Sequence, residues 1–313
     1  MDIKMKKEQN VSLQEPLVSI CLITYNHEKY IKQAVDSILA QHMDFPYEVL
    51  IADDASTDNT QKILTENYSD IEHVKLILWS KNNQGKNAYL AIQEAKGKYI
   101  YYCEGDDYWI GEDGLQTLVD WLEAHRDYIG VCGRRITLSE KTGIFNVSYD
   151  KRTSNQVIQL NDILENEIVF DMCATLHRNF YHDDMCDYRS YLACRTVGDL
   201  TNMLYILLHG NVFQLDKLVG VYRADRIKGA SSYNSLSSPK KVFEDHMELI
   251  SNLPNLIHVK LNYSKLKKRY GMWYANSCVS VYEMIKQIPY MKKKVGIRIT
   301  LSCVKDRIKA IRS

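Results

Sequence analysis

The chain has 313 residues, 45% of them apolar and 25% charged, with a formal net charge of +1. That length suits one large domain or one domain with an appendage; the composition is that of an ordinary globular protein, and the balanced charge gives no steering toward nucleic acid, so no nucleic-acid partner is expected. Eight scattered cysteines without a CxxC pair read as reduced core thiols of a cytoplasmic protein. The polar N-terminus lacks the apolar stretch of a secretory signal, and no apolar run approaches the roughly 20 residues of a membrane span.

Val18–Thr24, VSICLIT, is a near-continuous apolar run, the pattern of a strand buried on both faces. Tyr25-Asn26-His27 breaks it, and Ile31, Ala34, Val35, Ile38 and Leu39 then recur at helical spacing. Glu48–Asp53 reads as a second strand ending in Asp53-Asp54. Ser56-Thr57-Asp58 offers N-cap chemistry for a helix carrying Ile63 and Leu64. Val74–Leu78 is a third strand, 82–85 a loop, Ala88–Ala95 a helix, and Gly97 its stop. A fourth strand, Tyr99–Cys103, runs into Glu104-Gly105-Asp106-Asp107. Leu115, Leu118, Val119 and Leu122 mark another helix. Strand–helix alternation with short links predicts a mostly parallel, doubly wound α/β sheet, with ligands at the carboxyl ends of its strands.

After Gly130 the pattern loosens. Gly130–Leu138 and Ala174–Arg178 read as strands, and Gly198-Asp199 opens a helix carrying Leu200, Leu204, Leu207 and Leu208. Asn211–Leu215 and Leu218–Arg223 read as a strand pair about Asp216-Lys217, and Lys228–Ser238 as a polar loop long enough to act as a lid. The expected organisation is a polar tail over 1–15, a catalytic domain over 16–238 with halves 16–109 and 110–238, and a basic helical extension over 239–313. From Ser264 onward basic residues greatly outnumber Glu283 and Asp306, and they alternate with Trp273, Tyr282, Ile285, Ile297 and Leu301. Two readings stay open: amphipathic helices lying peripherally on an anionic membrane surface, or a charged face packed against the domain or against a second subunit in a homo-oligomer.

Three carboxylates at the end of a buried strand, Glu104, Asp106 and Asp107, are costly unless a cation sits among them. Mg²⁺ or Mn²⁺ takes such oxygens, usually together with substrate phosphates, and Gly105 permits the tight turn that lets them converge. The alternative is a solvated acidic turn. Tyr108 and Trp109 immediately downstream favour a site that holds a sugar or a base. No GxGxxG, GxxxxGK[ST] or GxSxG is present, which excludes dinucleotide, P-loop and hydrolase-elbow chemistry. A nucleotidyltransferase would show a glycine-rich loop where this chain has TYNHEKY.

Three blocks, VSICLITYNHEKYIKQAVDSILAQ, VLIADDASTDNT and NNQGKNAYLAIQEAKGKYIYYCEGDDYW, closely resemble the family 2 glycosyltransferases of the GT-A fold. The resemblance covers about Pro16–Trp109 and continues more loosely to Arg223. It implies an inverting transferase that uses a nucleotide-diphosphate sugar and Mg²⁺ or Mn²⁺, acting on a glycan or lipid-linked acceptor in cell-surface polysaccharide synthesis. A glycan- or nucleotide-sugar-binding protein that kept the fold without turnover is the alternative. The resemblance puts Thr24, Tyr25 and Asn26 in the nucleotide pocket, Asp53 facing the base, and Lys86, Glu104, Gly105 and Asp106 among the donor-binding residues. Asp106 would be the principal metal ligand, with Asp107 beside it and Glu104, which replaces the family's first Asp, nearby. Asp199 stands at the catalytic base, preceded by Gly198 where relatives carry Glu. Its other reading is a plain helix cap. Asp171 is the runner-up base and, with Trp109 and Arg223, an acceptor-side residue. Asp225 replaces the His of a YRxH segment.

Overall fold

The fold starts from strand β1, Val18–Thr24, whose alternate side chains feed two different cores. Cys21 points to one face with Leu50, Ile100 and Tyr102. Val18, Ile20 and Leu22 point to the other with Val49, Ile51, Tyr99 and Tyr101. A period of two in a sequence that is apolar throughout therefore builds a sheet covered on both sides. The computed structural model describes residues 15–83, 85–147, 155–165, 170–181, 198–224, 238–256 and 262–312. Residues 1–14 of the expected polar tail 1–15, residues 228–237 of the expected Lys228–Ser238 loop, and Asp225 lie outside the described residues.

The first half of the main domain follows the expected order. After β1 come α1 (Ile31–Leu39), β2 (Tyr47–Asp53), α2 (Thr60–Tyr68), β3 (Val74–Leu78), α3 (Asn87–Gln93) and β4 (Tyr99–Glu104). Strands β1 to β4 are parallel in the order β3-β2-β1-β4. The chain then adds β5 (Tyr108–Trp109), α4 (Gly114–Ala124), β6 (Gly130–Ser139), β7 (Ile144–Val147), β8 (Gln156–Ile158), α5 (Leu160–Glu165), a 3₁₀ turn at Met172–Ala174, β9 (Thr175–Arg178), α6 (Gly198–His209) and β10 (Val212–Ala224). Helices α1, α2 and α4 pack on one face and α3 and α6 on the other, which is the doubly wound layering.

The sheet is the mostly parallel, doubly wound one expected, extended by antiparallel strands, and one expectation about its later strands is corrected. The ten-stranded sheet is mixed: β9 inserts between β4 and β6 and runs antiparallel to both. The expected strand pair about Asp216-Lys217 is one 13-residue strand, β10, lying parallel to β6. Asp216 and Lys217 form a bulge, not a turn, where the register jumps from Gln214↔Cys132 to Leu218↔Arg134. The bulge is tied down by Arg134–Asp216 at 2.6 Å and Lys217–Asp113 at 2.7 Å. Gly133 opposite it is obligatory, because a Cβ there would meet the Lys217 carbonyl oxygen at 2.8 Å.

His177 in β9 is fully buried. Its Nδ1 bonds the Arg178 carbonyl at 2.9 Å, and burial, reinforced by nearby His209, depresses it to about 4. In the unfolded chain the imidazole titrates near its ordinary 6.5, so between these values the unfolded state binds more protons. The His177 contribution is thus present above pH 6.5 and is lost as pH falls toward 4, an effect of about 3 kcal/mol. Urea midpoints at the two ends of that window should fall more steeply in wild type than in His177→Gln. Equal acid sensitivity in the two proteins would refute this assignment.

Helices α7 (Pro239–Leu256), α8 (Ser264–Ser277), α9 (Val281–Val295) and α10 (Ile297–Arg312) form the C-terminal extension. They enclose a third core around Phe243, Met247, Tyr274, Met284, Met291 and Cys303. Tyr263 and Tyr270 pack against both this core and the α3–α6 face of the sheet, so the extension is joined to the main body by apolar contact. Ser280 caps α9 by accepting the Glu283 amide at 3.1 Å. Among the described residues no helix is long and apolar enough to cross a membrane.

Candidate active site

Register alone aligns the first site residues. Thr24 at the end of β1 lies abreast of Asp53 at the end of β2, and Ile23 abreast of Glu104 at the end of β4. Three parallel strands therefore finish together and leave a crevice at their carboxyl ends. The Asp54 amide bonds the Thr24 carbonyl at 2.9 Å, and the Gly105 amide bonds Ile23 at 2.8 Å, continuing each ladder one step past the sheet. Gly105 has a steric reason: a Cβ there would sit 2.9 Å from Thr24 Cβ and Oγ1 and from Ile31 Cδ1.

The β1–α1 and β2–α2 loops are laced together. Asn26 takes a left-handed φ of 56° and Ala55 one of 61°. The consecutive amides of Asn26, His27 and Glu28 donate to Ser56 Oγ at 2.8 Å, Thr60 Oγ1 at 2.9 Å and Asp58 Oδ2 at 3.1 Å. In return Asn26 Oδ1 accepts the Thr57 amide at 2.7 Å, and Glu28 Oε2 accepts the Asn59 amide at 3.0 Å. Asp58 fills both roles, with Oδ2 in this cross-loop clasp and Oδ1 accepting the Thr60 amide at 3.0 Å at the start of α2, the N-cap chemistry expected of this stretch; Ser56 serves the clasp, and Asn59, directly before α2, makes no side-chain cap bond.

Asp53 is fully buried and accepts from the Ser56 amide at 2.9 Å, the Ser56 hydroxyl and Gln61 Nε2 at 2.5 Å. Asp54 Oδ1 holds the next loop through the Asn83 amide at 2.7 Å and side chain at 3.0 Å. Lys86 is half-buried directly before α3, and Asn87 behind it bonds the Ala52 carbonyl at 2.7 Å. Tyr25 and Asn26 are half-buried and Thr24 is buried.

The acidic motif diverges at its end. Asp106 is fully enclosed with His27 Nε2 at 3.8 Å. Asp107 is buried and accepts the Arg223 amide at 3.0 Å, while Glu104 is half-buried. The expected three-carboxylate convergence is accordingly corrected: among the described residues no three His, Cys, Asp or Glu side chains are grouped to hold one ion. The reason is that Asp106 turns toward α1 and Asp107 toward β10. A metal shared with a diphosphate needs only one or two carboxylates, and the enclosed Asp106 charge beside the crevice fits that smaller donor set.

Trp109 and Arg223, expected on the acceptor side, serve the framework. Trp109 is buried, packs edge-on to Tyr101 at 4.6 Å and abuts Gly114, where a Cβ would meet its ring at 2.6 Å. The Arg223 guanidinium bonds Glu140 and Gln33 and lies 4.9 and 4.7 Å from the ring centroids of Tyr30 and Tyr108. Asp171 is buried and ion-paired with Arg135 Nε at 2.6 Å, and Arg135 stacks on Tyr222 at 4.3 Å.

Asp199 lies in the first turn of α6. Its side chain keeps an opening to solvent, yet protein surrounds it closely enough that burial raises its carboxyl, the Asp171 carboxylate raises it further, and Arg135 opposes both. Cys173 marks the centre of this acidic patch. Burial pushes its thiol well above the usual range, and Asp107, Asp171 and Asp199 all add to the shift. Asp107 and both candidate bases are therefore near enough to act on one thiol. The sequence assigns no site role to His27, Gln33, Arg135 or Glu140. The one available signal was Arg134-Arg135 within an apolar strand, an unusual place for charge unless it is paired.

A crevice at the ends of parallel strands, an acidic turn after the fourth strand and an inserted antiparallel strand define a GT-A type of transferase fold. A family model described as Glycosyl transferase family 2 matches residues 19–183, just over half of the chain; the chain belongs to that family. Among curated proteins it is 27% identical over 218 residues to the poly(ribitol-phosphate) beta-N-acetylglucosaminyltransferase TarS of Staphylococcus aureus, covering 60% of this chain and 37% of that one. It is 24% identical over 238 residues to the putative teichuronic acid biosynthesis glycosyltransferase TuaG of Bacillus subtilis, covering 75% and 89%. It also matches an uncharacterised Mycobacterium tuberculosis protein at 30% identity, covering 54% of this chain and 49% of that one, so the chain spans about half the length of several curated relatives. The solved structure of S. aureus TarS in complex with UDP-GlcNAc superposes with a TM-score of 0.62 at 16% identity, over 94% of this chain and 92% of that one.

Proposed function

We propose that the chain is an inverting glycosyltransferase that moves a sugar from a UDP-sugar to a hydroxyl of a glycan or lipid-linked saccharide in cell-surface polysaccharide synthesis. The observation that carries this reading is the crevice at the carboxyl ends of β1, β2 and β4, where Thr24 ends abreast of Asp53 and Ile23 abreast of Glu104, with the buried Asp106 directly after. The UDP-GlcNAc complex of TarS and the polysaccharide-related names of TarS and TuaG support the donor and pathway class.

In this reading the clasped loops over Tyr25–Thr60 hold the nucleotide, with Asp53 toward the base and Lys86 toward the phosphates. Asp106, with Asp107 and Glu104 nearby, would hold a Mg²⁺ or Mn²⁺ ion. Such an ion neutralises the charge that grows on a departing diphosphate. Asp199 takes the acceptor hydroxyl's proton on the face opposite the leaving group, as an in-line displacement requires. Its opening to solvent is the path for the incoming hydroxyl. The Arg135–Asp171 pair fixes a positive charge behind it.

Calorimetry of UDP binding with and without Mn²⁺ tests the donor site. Asp106→Asn removes a charge at constant volume and should abolish the Mn²⁺-dependent gain in UDP affinity while leaving metal-free binding and the melting curve unchanged. An unaltered Mn²⁺ effect in that variant would overturn the ligand assignment.

A further inference from the structure

The C-terminal helices bury one apolar face in their own core and leave another outside. Among the described residues, six of the eleven large apolar side chains that are exposed lie in 273–301: Trp273, Val279, Tyr282, Ile285, Ile297 and Leu301. Their spacing is not scattered. On α9 the exposed positions are Tyr282, Glu283, Ile285, Lys286, Pro289, Lys292, Lys293 and Lys294; Tyr282, Ile285, Lys286, Pro289, Lys292 and Lys293 recur every three or four residues along one side, Glu283 and Lys294 flank them, and Met284, Met291 and Val295 face inward. On α10 the outer positions are Ile297, Arg298, Leu301, Lys305 and Lys309, with Thr300 and Cys303 inward. Each stripe therefore mixes aliphatic or aromatic side chains with lysine or arginine.

Acidic relief is small on this surface. Glu283 is engaged by the Val279 amide at 2.7 Å, and Asp306 by Lys268 at 3.1 Å. Lys286 stands over the exposed Tyr282 ring at 4.3 Å, so the aromatic and the cation present themselves together. A surface of this chemistry matches an interface of anionic headgroups over acyl chains, where lysines meet phosphates and the apolar side chains enter the boundary. A second copy of this chain fits less well, because a two-fold contact would set the basic stripe against itself.

We infer that the outer stripes of α9 and α10 seat the protein on an anionic bilayer, with both helices lying in the plane of the interface. The inference stands on this surface alone and is independent of the donor and acceptor assigned above. Co-sedimentation of the full chain with phosphatidylglycerol-containing vesicles tests it. Wild type should bind these vesicles at low salt, bind pure phosphatidylcholine weakly, and release at about 0.5 M salt. Replacing Lys286, Lys292 and Lys293 together by Gln should weaken partitioning about a hundredfold, since each charge near the surface is worth about fivefold. Ile285→Ser with Leu301→Ser should weaken it about tenfold at unchanged charge, because transferred apolar surface is lost. All five positions are exposed, and circular dichroism and urea midpoints should match wild type. Equal binding to neutral and anionic vesicles, or wild-type binding by the lysine triple variant, would overturn the inference. So would a wild-type dimer by sedimentation velocity that Ile285→Ser with Leu301→Ser dissolves, since that result assigns the face to a second copy.

Discussion

Replacing Asp199 by Asn is expected to lower kcat by about 10²–10⁴, the usual worth of a general base, with UDP-sugar affinity little changed and the fold no less stable. The stability half follows from the direction of its shift. Burial and Asp171 raise the Asp199 carboxyl, so the folded state holds the proton to higher pH than the unfolded chain does. That contribution is fully present below the unfolded value and is lost as pH rises through the folded one. At neutral pH the ionised group therefore opposes folding, and Asn removes the opposition; the opening to solvent keeps the gain small. Asn also retains N-terminal helix compatibility. The helix end favours the ionised form, in the same direction as Arg135. In the pH–rate profile the acid limb should lie above the ordinary carboxylate range, move down in Asp171→Asn and move up in Arg135→Gln. Turnover of Asp199→Asn within a few-fold of wild type would eliminate it as the base and transfer the role to Asp171.

The largest expected stability loss belongs to Arg223→Ala. The guanidinium and the Glu140 carboxylate are 7% and 12% exposed, and Tyr30 Oη also donates to Glu140 at 3.3 Å. Removing one partner of a buried pair strands the other charge, at about 3–5 kcal/mol. It also empties the slot between Tyr30 and Tyr108, which sits beside the Arg223 amide bond to Asp107. Urea unfolding should show the loss. Arg223→Met with Glu140→Leu, which replaces the pair by apolar side chains, should recover much of it. A loss below about 1 kcal/mol in Arg223→Ala would mean that the pair is screened as surface pairs are.

The first half was legible because its strands are short apolar runs and its helices carry a 3.6-residue period in chain order, so the strand ends that carry Thr24, Asp53 and Glu104 could be anticipated. Direction was not legible: nothing in TLHR tells that β9 runs against β4, since pairing partners far apart leave no local mark. The Asp216-Lys217 pair has turn composition, and only the bulge against Gly133 reveals one strand. Trp109 and Arg223 have the composition of a sugar platform, but packing against Tyr101, Tyr30 and Glu140 turned them inward. The lacing of Asn26–Glu28 to Ser56–Thr60 is equally silent, because such bonds join residues about thirty apart.

That lacing has a thermodynamic consequence for ligand capture. Fixing one residue's backbone costs about 1–2 kcal/mol of conformational entropy, and a loop that orders only around its ligand subtracts that sum from affinity. Here three successive amides are already held by side chains of the neighbouring loop, and two left-handed residues are already in place. The ordering is completed during folding, so the nucleotide of the proposed reaction would meet a preformed mould. Selectivity at this end of the crevice then comes from rejecting shapes that do not fit, not from a rearrangement that only the right ligand can drive.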